Sequence, residues 1–461
     1  MASFYVENFG CRATQADGAA IERQFRLDGL ERADTALGAE IVVLNTCTVT
    51  AAADQDARAA IRRIHRQNPN CEIIVTGCYA QRAPKEIAAL PGVSRVIGNS
   101  HKHQLAEIAL QPEFVPLSML AGPGQRPTAY DQRPIFVSDI FAHTELLAAP
   151  VFDAANERTR PNLKVQDGCD NRCSFCVIPF VRGQSRSLPV SRVLEEVNGL
   201  VSAGYREIVI SGINLGRWGR DFVEQHTTCN DRRFEDLIRS ILDHTSLEKL
   251  RISSVEPMDW SDELIRLMSD SQRIAKHAHG PMQSGSDRVL RAMHRKYRPW
   301  HYREKIEKIR AALPSAAIGA DVMVGFPGET DADFQDTRRM IEDLPFTYLH
   351  VFTYSARPGT PAETMAHQVP VRMARERNRI LRDLAAQKKR AFMRFFIGKP
   401  LEAITLNITH SGPDGAFTDA LTDNYLKLRL QGIHSPNQWV QVQVTGVESD
   451  VLTGLLSTAA A

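Results

Sequence analysis

Cys169-Asp170-Asn171-Arg172-Cys173-Ser174-Phe175-Cys176 puts three thiols into eight residues, with gaps of three and then two residues. Such a segment can wrap one metal centre. Zinc normally takes four protein ligands, and no fourth Cys or His is near in sequence. Three cysteines on a four-iron cluster leave one iron open to a substrate or cofactor. A structural zinc completed by a distant ligand is the alternative. The segment follows a strand-like run, Asn162–Gln166, and opens a long alternation. Strands are expected at Glu207–Ser211, Leu250–Ser253, Ala317–Val324 and Tyr348–Phe352. Helices are expected at Ser191–Ala203, Phe234–Asp243, Asp262–Leu267, Asp287–His294, Tyr302–Leu313 and Asp331–Leu344. Strand–helix units repeated over residues 155–390 predict a closed or partial (β/α) barrel, whose chemistry sits at the carboxyl ends of its strands.

Upstream, residues 1–112 show the same alternation on a smaller scale, with strands at Ser3–Glu7, Ala39–Asn45, Glu72–Thr76 and Val93–Ile97. Alternating β and α predicts a parallel sheet covered by helices. Cys11, Cys47 and Cys78 each follow one of these strands, beside Gly or Thr. Loops at the carboxyl ends of parallel strands converge on ligands in open α/β sheets. Buried packing is the plain alternative for three scattered cysteines. Residues 113–154, with Pro116, Gly122-Pro123-Gly124 and Pro127, read as a linker, and Pro134–Ser138 as a possible added strand. Residues 391–461 lose the helical period. Leu401–Ile408, Leu426–Leu430 and Trp439–Val447 read as strands of a small β-barrel. Cys71 and Cys229 belong to neither set and read as spare thiols.

Composition sets the limits. The chain has 461 residues, 43% hydrophobic and 24% charged, which excludes a disordered, collagen-like or coiled-coil protein. Its 56 basic and 54 acidic residues give a net charge of +2, so any nucleic-acid surface must be local. No apolar run approaches the 18 residues of a membrane span, and the start is not a signal sequence. A cytoplasmic protein without membrane association is expected, in which clustered cysteines hold metal rather than form disulfides.

The spacing of Cys169, Cys173 and Cys176 resembles the radical S-adenosylmethionine enzymes. Together with Cys11, Cys47 and Cys78, it resembles the methylthiotransferases, a branch with a second [4Fe–4S] cluster. The resemblance covers nearly the whole chain. It extends through Asn45-Thr46-Cys47-Thr48-Val49-Thr50, Gly77-Cys78-Tyr79-Ala80-Gln81 and Ser211-Gly212-Ile213-Asn214-Leu215-Gly216. It continues through Ser253-Ser254-Val255-Glu256-Pro257, His277-Ala278-His279-Gly280-Pro281-Met282-Gln283-Ser284-Gly285-Ser286-Asp287, Val324-Gly325-Phe326-Pro327-Gly328-Glu329-Thr330 and Tyr354-Ser355-Ala356-Arg357-Pro358-Gly359-Thr360. The sequence departs from the family at Thr14, where an Asn is usual.

The resemblance implies an amino-terminal cluster domain, a radical barrel and a terminal β-barrel of the TRAM type. It implies two [4Fe–4S] clusters, one on each cysteine set. S-adenosylmethionine would chelate the open iron of the second set and yield a 5′-deoxyadenosyl radical. Phe175, Gly212, Asn214, Ser254, Glu256 and Gln283 would lie along the cofactor. The motifs look most like the branch acting on threonylcarbamoyladenosine beside the anticodon of tRNA. The implied partners are the tRNA anticodon stem-loop, a sulfur source, and an electron donor such as flavodoxin or ferredoxin. Methylthiotransferases of isopentenyladenosine or of a ribosomal-protein aspartate are alternatives within the class. A non-catalytic RNA-binding metalloprotein is the alternative outside it.

Charge adds an RNA surface. Residues 372–399 hold ten Lys/Arg against Glu376 and Asp383. Arg372, Arg375, Arg379 and Arg382 share a helical face and are candidate phosphate contacts. Tyr425 and Lys427 are candidates on the terminal barrel, where an exposed aromatic can stack on a base; core packing is the equal alternative for Tyr425. Arg288, Arg291, Arg295, Lys296 and Arg298 form a second basic run. A solvated helix face is the plain reading of each patch.

Overall fold

Apolar runs with β-branched residues become the central strands of an amino-terminal sheet. In this computed structural model, which describes residues 2–111, 133–143, 146, 160–222, 233–412 and 415–457, they are β1 (Ser3–Asn8), β2 (Glu31–Arg32), β3 (Ile41–Thr46), β4 (Glu72–Gly77), β5 (Val93–Gly98) and β6 (Ile135–Phe136). All are parallel, in the order β2-β1-β3-β4-β5-β6. β6 is the added strand expected within Pro134–Ser138. Helices α1 (Arg12–Leu27), α2 (Ala51–Gln67), α3 (Cys78–Arg82), α4 (Pro84–Ala88) and α5 (Leu105–Leu110) complete this part. Ile21, Phe25 and Leu105 pack on one sheet face with Phe4, Val43 and Ile74. Ile61, Ile64 and Ile87 pack on the other with Val42, Leu44 and Val75. Burial of both faces explains the unbroken apolar reading of Ile41–Leu44. Cys71 is buried in the second of these cores.

The chain divides into two compact units. One comprises Met1–Val151, Gly168–Asn171 and Cys176–Arg186; the other comprises Phe152–Asp167, Arg172–Phe175 and Ser187–Ala461. The terminal barrel thus belongs to the same unit as the long βα array. Most of the expected linker, and Cys229, lie outside the described residues.

In the array and its flanks the strands are β7 (Asn162–Lys164), β8 (Gln166–Asp167), β9 (Arg186–Ser187), β10 (Glu207–Ser211), β11 (Lys249–Ile252), β12 (His277–His279), β13 (Ala317–Val324) and β14 (Tyr348–Thr353). The helices are α6 (Ile178–Arg182), α7 (Val190–Ser202), α8 (Phe234–His244), α9 (Asp262–Asp270), α10 (Asp287–Ala292), α11 (Pro299–Ala312), α12 (Asp331–Asp343) and α13 (Val371–Arg394). Parallel pairing runs β7-β10-β11 and β12-β13-β14, and a bridge between Leu250 and Ile274 links the two sheets. Among the described residues β7 and β14 do not pair, so the barrel is partial. One apolar core joins strands and helices, from Leu163 through Ile210, Ile318 and Ile341.

α12 shows how side-chain oxygens fix a helix start. Thr330 Oγ1 accepts from the Asp333 amide at 3.3 Å, and the Asp333 carboxylate accepts from the Thr330 amide at 2.8 Å. Ser286 Oγ (2.6 Å) and Arg288 donate to the same carboxylate. Burial alone would raise the Asp333 pKa, but the bonds from Arg288, Ser286 and Thr330 outweigh it and hold the pKa well below the usual carboxylate range. A depressed folded-state pKa means the stabilisation is present above the unfolded value of about 3.9 and lost as pH falls below it. Asp333→Asn should therefore cost about 1–3 kcal/mol at neutral pH. In urea titrations the gap from wild type should stay constant above about pH 5 and close below about pH 4.

The terminal barrel is closed, in the order β15-β16-β17-β19-β18, from β15 (Pro400–Gly412), β16 (Gly415–Thr422), β17 (Lys427–Gln431), β18 (Trp439–Glu448) and β19 (Val451–Leu456). The barrel meets the amino-terminal ends of the array strands. Buried Arg251 donates to Glu207 at 2.5 Å and to the Asp423 carbonyl at 3.0 Å, and Lys249 reaches Glu402 at 3.0 Å. Among the described residues no helix is long and apolar enough to cross a membrane.

Candidate active site

Both cysteine sets sit where parallel strands end. β1, β3 and β4 are adjacent, with Asn8 opposite Asn45 and Thr46 opposite Gly77. Cys47 and Cys78 therefore leave neighbouring strands side by side, and Cys11 caps α1 just beyond β1. Gly10 has φ +104°, and a Cβ there would lie 2.5 Å from Cys47 Cβ and 2.8 Å from its sulfur. Residue 10 can pack directly against Cys47 because it has no side chain. Thr14 Oγ1 lies 3.5 Å from Cys11 Sγ, so the unusual Thr stands against that sulfur. Asn99 Nδ2 lies 3.6 Å from Cys78 Sγ.

Burial pushes the Cys47 thiol up to about 12, and Cys78 and Cys11 push the same way against a backbone hydrogen bond at Val49 and the charge of Arg182.

Next to this set lies a buried ion triad. Asp17 Oδ2 accepts from Lys102 Nζ at 3.0 Å and from Arg182 Nη2 at 2.9 Å. Asp17 is on α1, which starts after Cys11. Arg182 ends α6, two residues beyond Cys176 at its start. Val177 and Val181 pack against Cys78, and Asn99 Nδ2 donates to the Val181 carbonyl at 2.7 Å. The segment leaving Cys176 is thus folded onto the amino-terminal cysteine set.

Around Cys173 the decisive residue is Arg295. Its Nη1 lies 3.1 Å from Cys173 Sγ, and its Nη2 donates to Glu256 at 2.5 Å. Burial works against the charge, but Tyr297, Glu256 and Cys173 outweigh it and raise the Arg295 pKa. A fixed guanidinium at this point stands against the Cys173 sulfur and orients Glu256. The sequence reading placed Arg295 in a basic run. Arg288 instead binds Asp333, and Arg291 and Arg298 bind Asp287, so that run is largely neutralised within the fold.

The other expected cofactor contacts gather at strand ends. Gly212 follows β10, and a Cβ there would come within 2.8 Å of Gln166 Oε1, which accepts from the Asn214 amide at 2.7 Å. Ser254 and Glu256 follow β11. Gln283 follows β12 with φ 61°, unusual for a non-glycine residue, and is tied to Asp321 by a 2.8 Å backbone bond. Phe175 packs on the array core.

The expected RNA contacts divide. Arg372, Arg375, Arg379 and Arg382 are exposed on α13, although Arg379 is paired with Glu376 and Asp383. Lys427 is exposed. Tyr425 does not offer a free ring. It packs 4.6 Å from His277 and 5.8 Å from Tyr348, with the Arg251 guanidinium 5.4 Å from its centre. The barrel turn that carries it is docked on the array, which exposure guesses from sequence did not include.

Comparisons with known proteins match this geometry. A family described as Uncharacterized protein family UPF0004 matches residues 3–98, and the Radical SAM superfamily matches residues 163–341. The Threonylcarbamoyladenosine tRNA methylthiotransferase MtaB of Bacillus subtilis (strain 168) is 36% identical over 435 residues, 94% of this chain and 91% of that protein. This chain belongs to the radical S-adenosylmethionine methylthiotransferase family. The MtaB protein of Aquifex aeolicus (strain VF5) is 33% identical over 95% of this chain and 99% of its own length. A tRNA-2-methylthio-N(6)-dimethylallyladenosine synthase of Novosphingobium aromaticivorans is 34% identical over 87% and 86%. Among solved structures, the radical S-adenosylmethionine methyltransferase TsrM from Kitasatospora setae shares the fold, with TM-score 0.54 and 14% identity over 78% of this chain and 75% of that one. A methylthiotransferase architecture therefore accounts for the two cysteine sets and the partial barrel together.

Proposed function

We propose that this chain converts N6-threonylcarbamoyladenosine in tRNA, beside the anticodon, to its 2-methylthio derivative. The net change replaces the hydrogen on adenine C2 with a methylthio group. That carbon is neither acidic nor bears a leaving group, so radical chemistry is required. Two iron–sulfur clusters, on Cys169, Cys173, Cys176 and on Cys11, Cys47, Cys78, with S-adenosylmethionine, supply the radical and the methylated sulfur when bound. The chain's own residues prepare both places. Arg295 stands against the Cys173 sulfur and holds Glu256 in position. Gly10 lets the backbone pack directly on Cys47, and Val177 and Val181 cover Cys78. Arg372, Arg375, Arg382 and Lys427 supply positive charge for the RNA backbone, with an electron donor and a sulfur source as further partners.

The packing of Val177 and Val181 against Cys78 carries this reading, because it brings the loop after Cys176 onto the other cysteine set. Full-length similarity to MtaB proteins favours the threonylcarbamoyl substrate over the dimethylallyl one. Nucleoside analysis of tRNA from a deletion strain tests it. The 2-methylthio-threonylcarbamoyl nucleoside should vanish while its unmethylthiolated precursor accumulates. An unchanged level would refute the assignment, and loss of a methylthio-isopentenyl nucleoside instead would reassign the substrate.

A further inference from the structure

Opposite residues of β12, β13 and β14 share a face. His277 stands opposite Ala317, His279 and Tyr348 flank Gly319, and Asp321 stands opposite His350. The alternate residues Ala278, Ile318, Ala320 and Val322 belong to the apolar core with the helices. The histidines and Asp321 therefore lie on the sheet face turned away from those helices. There, His279 Nε2 lies 3.5 Å and His350 Nδ1 3.2 Å from the same oxygen, Asp321 Oδ1. All three donor atoms lie within 4.8 Å of one another, and among the described residues no other such group of three His, Cys, Asp or Glu is found.

Two further observations separate this cluster from an ordinary polar contact. His279 is more than nine-tenths buried, yet its Nε2 has no hydrogen-bond partner among the described residues. Its ring is held by stacking on Tyr348, so the nitrogen is kept aimed at the carboxylate. Buried ring nitrogens left unbonded are costly and call for a partner. A divalent ion bound at 2.0–2.2 Å to N and O donors sets those donors about 3.3 Å apart, close to the observed 3.2 and 3.5 Å. His350 is 55% exposed, which leaves one side of the cluster open.

We propose that His279, Asp321 and His350 form a binding site for one first-row divalent cation, separate from both cysteine sets, with coordination positions open to solvent or to oxygen ligands. Two imidazoles and one carboxylate with open positions suit zinc, manganese or iron(II) rather than magnesium. Zinc is the useful probe because the clusters already contribute iron. Holoprotein with both cysteine sets loaded with iron would be exposed to zinc, desalted, and its zinc and iron counted, beside His350→Ala and Asp321→Asn. His350 is half-exposed, so its loss should spare the fold; unchanged iron content and circular dichroism would verify this. Wild type should retain about one zinc per chain, and both variants should bind it at least tenfold more weakly with unchanged iron. Wild type retaining no zinc, or variants retaining as much as wild type, would overturn the site.

Discussion

Replacing Cys169, Cys173 and Cys176 together with alanine should abolish S-adenosylmethionine cleavage and all nucleoside product, yet leave about four of about eight irons in place. The complementary triple alanine variant at Cys11, Cys47 and Cys78 should also keep about four irons. It should still cleave S-adenosylmethionine but yield no methylthiolated nucleoside. The asymmetry follows from the two environments. Cys173 has a buried, positively charged partner in Arg295, which in turn fixes Glu256 at a strand end. Cys47 and Cys78 have almost no solvent access, and Gly10 packs directly against Cys47. The effect is the largest expected, because no other group in either site replaces three lost ligands. Wild type holding a single cluster, or only zinc, would sink the two-cluster assignment. So would loss of all iron from either triple variant with the fold intact.

What could be read in the sequence was set by how local each signal is. The cysteine loop is legible because its three thiols fall within eight residues, and Ala317–Val324 because it is an apolar-rich run of eight, six of them buried. β12 is three residues long and flanked by polar groups, so no periodicity marks it. β16 and β19 are unmarked because small or polar residues, Thr418, Ala420 and Gly454, hold their buried positions. Arg295 was legible only as positive charge; its role comes from the chain turning after α10 to bring it under Cys173. Tyr425 stays open in the sequence between an exposed ring and a packed one, since only docking of the terminal barrel sets rings and a guanidinium against it. His279, Asp321 and His350 come from three strands separated by long helical connections. No spacing rule could have joined them.

Asp17→Asn should be the most damaging single substitution outside the cysteines. It removes the anion that Lys102 and Arg182 share, all three side chains being 5% exposed or less. Losing a charge from this buried cluster should cost about 3–5 kcal/mol, or more than a hundredfold in the local opening equilibrium. The damage should be confined to the amino-terminal unit. Trp218, Trp260, Trp300 and Trp439 all belong to the other unit, so tryptophan fluorescence should keep its unfolding midpoint. Hydrogen exchange in α1 and α6 should accelerate by at least a hundredfold. Adding Lys102→Met removes one of the stranded charges, so the double variant should be less unstable than the sum of the single losses. Unchanged exchange in α1 and α6 would mean the triad is not what fastens them. Because α6 follows directly from Cys176 and carries Val181 against Cys78, the same loosening should let water reach the amino-terminal cysteine set. Iron bound there should then leak to a chelator faster than iron on Cys169, Cys173 and Cys176. That difference in release rates separates a loss of anchoring from a general loss of fold.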